Sequence, residues 1–174
     1  MTEPASAYTP VDLAGHMRSQ AIRVWLVASG VVLLWLSLIV SAPLFESTDF
    51  AQSVYGFFSY ICHQMPERSL HLAGHQLAVC SRCFGVYFGL LAGIVIYPLW
   101  RQITDTEPIP RFWLLLSLIP ITIDWSLTMF GIWENTHVSR FVTGTILGFG
   151  CAVFIVPALV EVSRNLSGRR RIFH

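Results

Sequence analysis

Four apolar runs constrain this chain before any other feature does. They extend from about Ile22 to Leu44, Val79 to Trp100, Phe112 to Trp133 and Val138 to Val160. A bilayer hydrocarbon core of roughly 30 Å is crossed by a helix of about 20 mainly apolar residues. The chain has 174 residues, of which 54% are hydrophobic and 12% charged, more apolar surface than a soluble domain of this size needs. The expected fold is an all-α membrane protein with four transmembrane helices. A fifth apolar piece, Phe50 to Ile61, holds only about a dozen residues and reads as a short interfacial or re-entrant helix. The first run is longer than the ~7–15 residue core of a signal peptide and reads as a retained helix.

Three regions follow. Residues 1–20 form a polar N-terminal segment, expected to be loosely ordered. Residues 21–162 form the four-helix domain, with an outer Cys/His loop at 45–79. Residues 163–174 form a basic tail. The arginines orient the whole. With four spans, Arg18, Arg23, Arg101, Arg111, Arg164, Arg169, Arg170 and Arg171 share one side, and Arg68, Arg82 and Arg140 the other. The positive-inside rule then places both termini in the cytoplasm and the loop 45–79 outside a cytoplasmic (plasma) membrane. A net charge of +1 gives no electrostatic footprint for nucleic acid.

The polar residues converge on that outer side. Cys62, His63, Arg68, His71 and His75 fall in the loop, and Cys80, Arg82 and Cys83 open the second span. Asp124 lies about 20 Å into the third span at 1.5 Å per residue, so it too belongs to the outer part of the membrane. An aspartate within a span costs about 2.5–3.5 kcal/mol on insertion scales and needs a partner facing the bundle interior. Arg82 and Arg140 are the candidates. Gly85, Gly89 and Gly93 on the second span and Gly144 and Gly148 on the fourth make faces without side chains, which lets two helices approach closely. Their contact would bring Cys83 and Arg82 near Arg140.

Cys80 and Cys83 share a helical face, and Cys62-His63 precede them in the pattern C-H-x16-C-x2-C, which approximates zinc-site spacing. Three thiolates and an imidazole complete a tetrahedral zinc shell, and a shell using fewer groups leaves a position open. Copper and iron are the other metals this ligand set admits. His71 and His75, four apart, offer alternative ligands if the segment is helical. An outward Cys-x-x-Cys also fits a redox dithiol or a structural disulfide. Cys151, deep in the last span, reads as a small buried apolar residue. His137 reads as a solvated loop histidine, and the tail arginines as partners of lipid phosphates.

Three motifs in order carry a resemblance: Cys62-His63-Gln64, Pro66-Glu67-Arg68-Ser69, and Cys80-Ser81-Arg82-Cys83-Phe84-Gly85-Val86-Tyr87-Phe88-Gly89. With Pro120, Asp124, Arg140 and Thr143-Gly144, they resemble a family of small predicted membrane proteins of bacteria and archaea that carry a domain of unknown function. The resemblance covers roughly residues 55 to 150. It implies a shared site of Cys62, His63, Arg68, Cys80, Arg82, Cys83, Asp124 and Arg140, without His71 or His75, and names no reaction.

Three functions compete. The first is a metalloenzyme with a zinc-type ion at Cys62, His63, Cys80 and Cys83, working on a membrane lipid or lipid-linked substrate. Asp124 would act as acid or base, and Arg68, Arg82 and Arg140 would serve the substrate. The second is a quinone-linked thiol–disulfide oxidoreductase. The third is a non-catalytic, metal-stabilised membrane scaffold.

Overall fold

The computed structural model describes residues 10–107 and 109–172, and the side chains of 10–13 and 168–172 lie outside that description. The expectations for residues 1–9 and for the side chains of Arg169, Arg170 and Arg171 therefore fall outside the described residues. The helices are α1 (Pro10–Leu44), α2 (Asp49–Ser59), α3 (Ser81–Trp100), α4 (Phe112–Met129) and α5 (His137–Ile172). Of these α1, α3, α4 and α5 are long and apolar enough to cross a membrane, and the 11-residue α2 is the expected short fifth helix. Thr48 caps α2, its hydroxyl accepting from the Ala51 N–H at 3.3 Å. Ala51, Val54 and Phe58 face inward from it.

The segment 10–20, expected to be loose, is instead the start of α1. Its polar face has a partner: the Gln20 amide donates to the hydroxyls of Ser163 and Ser167 at 2.8 Å each. Two helices that outrun the bilayer thus bind each other through groups that sequence pattern alone does not pair. A second tie explains how α3 tolerates Pro98. The proline has no N–H for the Ile94 carbonyl one turn back, and the Trp25 indole N–H takes that carbonyl at 2.7 Å.

The bundle is organised on the α3–α5 seam. A Cβ added to Gly85 or Gly89 would overlap the carbonyl oxygens of Phe141 or Thr145, and one added to Gly144 or Gly148 would overlap those of Arg82 or Val86. The two glycine stripes face each other, so the helices meet backbone to backbone, as their spacing leads one to expect. The same register sets Arg82 beside the first turns of α5. By contrast α4 packs mainly on α5, where Ser117 fills the space beside Gly150.

The chain between α2 and α3 holds no α-helix. A 3-10 turn at Pro66–Arg68 leads to two short antiparallel strands, β1 (His71–Leu72) and β2 (His75–Gln76). Ala73 and Gly74 turn the hairpin with φ of 54° and 88°. The reading of His71 and His75 on one helical face is corrected here. In this register they stand on opposite faces of the ribbon, and His75 pairs with Glu46.

Candidate metal centre

The sulfur atoms of Cys62, Cys80 and Cys83 lie within 4.8 Å of one another, and none is in a disulfide. Each arrives by a different local device. Cys62 follows α2, with its N–H bonded to the Phe58 carbonyl at 2.9 Å. Cys80 is the N-cap of α3, in extended backbone with φ −67° and ψ 159°. Cys83 is in the first turn of the same helix. The backbone N–H of Cys80 donates to the Cys62 sulfur at 3.2 Å. Hydrogen bonds from the Cys80 and Cys83 thiols push the Cys62 thiol well below its ordinary range. The positive end of the α3 dipole lies at the same place.

The donor set suits a metal. Zinc–sulfur bonds of about 2.3 Å put tetrahedral sulfurs roughly 3.8 Å apart, within the spread seen here. Soft thiolates select zinc, Cu(I) or iron–sulfur chemistry. His63 borders the pocket beside the cysteines but is not among the ligand atoms that lie within 4.8 Å of one another. Of the four residues expected to hold an ion, the structure gathers the three cysteines, and among the described residues His71 and His75 do not join them either.

Gln64 explains the residue after Cys62-His63. It sits in the left-handed region at φ 47°, and its amide donates to the carbonyls of Tyr55 and Ala78, each at 2.8 Å. One side chain thus ties α2 to the strand of chain that enters α3. Below the sulfurs, Ile39, Val54, Phe58 and Val79 form a buried apolar cluster, and Trp35, Phe84 and Tyr87 pack against it.

A polar chain runs beside the three sulfurs. Arg82 donates to Asp124 at 2.5 Å, the Asn135 amide donates to the same carboxylate oxygen at 2.8 Å, and Arg140 donates to the Asn135 carbonyl oxygen at 2.7 Å. The carboxylate is 9% exposed. Arg82 is therefore the direct partner of Asp124, and Arg140 reaches it through Asn135, a buried residue that the sequence did not single out. A small amide in a turn carries no composition or period signal. His137 also departs from expectation. It is half-buried at the start of α5, with Nδ1 at 2.9 Å from the Ser81 hydroxyl, which donates to the Arg68 carbonyl at 3.0 Å.

The sulfurs and the three arginines open on a cavity of about 490 Å³, lined among others by Cys62, Cys80, Cys83, Arg68, Arg82 and Arg140. Trp125 and Met129 of α4 give it an apolar wall.

Residues 62–154 match the family described as "Predicted membrane protein (DUF2085)". The chain belongs to that family. The family's span starts at the first of the clustered cysteines and ends within α5. An uncharacterized protein of Methanocaldococcus jannaschii is 40% identical over 109 residues, covering 63% of this chain and 70% of its own length. A second uncharacterized protein, from Methanothermobacter thermautotrophicus, is 40% identical over 96 residues, covering 55% of this chain and 85% of its own. No solved structure matches the chain. The resemblance read from the sequence is thus correct at the level of the family.

Proposed function

We propose that this is a metal-dependent membrane enzyme acting at the extracytoplasmic face on a lipid or lipid-linked substrate. One observation carries the reading: three gathered sulfurs open on a cavity that also holds three arginines, one of them paired with a mostly buried carboxylate. A purely structural thiolate site tends to be closed by a fourth protein ligand. Here the gathered set has three, which leaves room for a substrate group. When bound, a zinc-type ion supplies Lewis-acid polarisation of a carbonyl or phosphoryl oxygen.

The rest is the work of the chain's own side chains. Cys62, Cys80 and Cys83 would hold the ion. Asp124, fixed by the cavity-lining Arg82 and Asn135, would serve as the acid or base. The arginines orient an anionic group, and the wall formed by Trp125 and Met129 suits an apolar one. The arginine asymmetry of the sequence supports an outward-facing site and cytoplasmic termini. The substrate would reach the site from the bilayer.

Elemental analysis of the detergent-purified protein, with a parallel count of free thiols, tests this. About one zinc-type ion per chain, lost in Cys80→Ser and Cys83→Ser, is the expected result. No metal, together with a reducible disulfide between Cys80 and Cys83, overturns it. That outcome favours a thiol–disulfide exchanger, in which Cys62 is the third thiol within reach.

A further inference from the structure

We propose that the cavity beside the sulfur cluster binds a tetrahedral oxyanion of the phosphate type, held by Arg68 and Arg140, while Arg82 aligns the site. The proposal deepens the functional reading above and rests on it for the purpose of the site.

The three guanidinium groups are not equally free. Arg82 is committed to Asp124 through Nη2, and its Nε is buried without a partner. Arg140 uses Nε on Asn135, which leaves its two terminal amines without a hydrogen bond among the described residues. The Arg68 side chain makes no hydrogen bond among those residues, and the backbone that presents it is pinned. The Arg68 N–H donates to the Met65 carbonyl at 3.0 Å, Ser69 bonds back to Met65 and Pro66, and Ser81 holds the Arg68 carbonyl. His137 completes that brace through Ser81. A guanidinium carried on fixed backbone loses less freedom when it binds a ligand.

Charge points the same way. Arg68 and Arg82 lie near enough to Arg140 for their like charges to be felt there, and Asp124 is the carboxylate that answers them. Three thiolates holding a divalent ion would add one negative charge. The cavity stays net positive, so an anion is the complement it lacks. Geometry then selects the kind of anion. A carboxylate presents two oxygens in one plane, whereas a phosphate-type ion presents three or four pointing in different directions. Two forks on separate elements are better matched by the second kind, which offers each fork its own pair of oxygens. The first turn of α3 opens at the same spot without a side-chain cap, which further favours negative charge. Such an oxyanion is offered either by a lipid phosphate or by free phosphate.

The test is calorimetric titration of the full-length protein in detergent with three probes: inorganic phosphate, a single-chain alkyl phosphate and the matching alkyl carboxylate. Metal content and thermal unfolding are measured on the same samples. Both phosphates should bind more tightly than the carboxylate if the source is open. Binding of the alkyl phosphate alone assigns the oxyanion to a lipid. Arg68→Gln should weaken phosphate binding by at least about tenfold with the unfolding transition unchanged, and Arg68→Lys should recover part of it. Absent phosphate binding, equal binding of the carboxylate, or indifference to Arg68→Gln overturns the proposal. Metal retained without phosphate binding overturns this inference alone. Metal absent from the wild type overturns the functional reading, and the titrations then still report on the oxyanion.

Discussion

The backbone N–H of Cys80 donates to the sulfur of Cys62 across 18 positions of sequence, so the N-cap of α3 also grips the residue three positions beyond α2. Because the three sulfurs come from two chain segments, each cysteine should be required for metal. Cys62→Ser, Cys80→Ser and Cys83→Ser are each expected to drop the bound ion from about one per chain to near zero, read by elemental analysis. Cys151→Ser, on a cysteine outside the sulfur group, should keep it.

Removing the charge of Asp124 strands Arg82. Asp124→Asn is expected to lower stability by about 2 kcal/mol, because a half-buried charge is left without its partner. Adding Arg82→Gln should restore much of that loss. Denaturation in detergent gives the coupling, and additive losses would show that the pair is not an energetic unit. Metal content should stay intact in both variants, since neither residue supplies a sulfur.

The Cys62 thiol makes a pH prediction in metal-free protein. Its folded value is depressed below the ordinary thiol range, first by the Cys80 thiol and then by Cys83. The sign follows: the thiolate's contribution is complete above the unfolded value of about 8.5 and is lost as pH falls through the folded one. Thiolate absorbance in the ultraviolet should therefore persist below pH ~7 in wild type. Its titration should shift upward, toward the ordinary value, when both Cys80 and Cys83 are alanine, which removes both side-chain donors and leaves the backbone ones.

Trp25→Phe should cost about 1 kcal/mol by orphaning the Ile94 carbonyl that Pro98 leaves free. In a Pro98→Ala background that carbonyl regains its helical partner, and the same tryptophan change should cost measurably less. Equal costs in the two backgrounds would remove the link between the two residues.

Gly148→Ala places a methyl against the Val86 carbonyl, where backbone must move. A loss of about 1–3 kcal/mol is expected. Gly30→Ala on α1, where the added methyl meets open space, should be neutral or slightly stabilising. Unfolding midpoints of the two variants decide it.

Much of this was legible in the residues themselves. The apolar runs fix the helices because lipid leaves the backbone no other partner. The glycine spacing foretold the α3–α5 contact, since only backbone atoms can meet there. The three cysteines, Arg82 and Asp124 were readable because charge and thiol at a membrane edge are costly without a purpose. What escaped depends on tertiary placement. Asn135 became the bridge to Arg140 only once a turn carried it back over α4. The β1–β2 ribbon has strands of two residues, too short for any period to show. His63 has the right spacing for a ligand, and spacing does not fix where an imidazole points. His137 gained its role from Ser81, a residue 56 positions away.

The contact between Cys62 and Cys80 closes a loop, and Arg68 rides inside it. Any ion that clasps the sulfurs would also restrain the stretch that carries this arginine, and an anion seated on Arg68 would restrain the sulfurs in return. The two occupancies are then thermodynamically linked, and linkage is reciprocal. Whatever factor the ion adds to anion affinity, the anion must add to affinity for the ion.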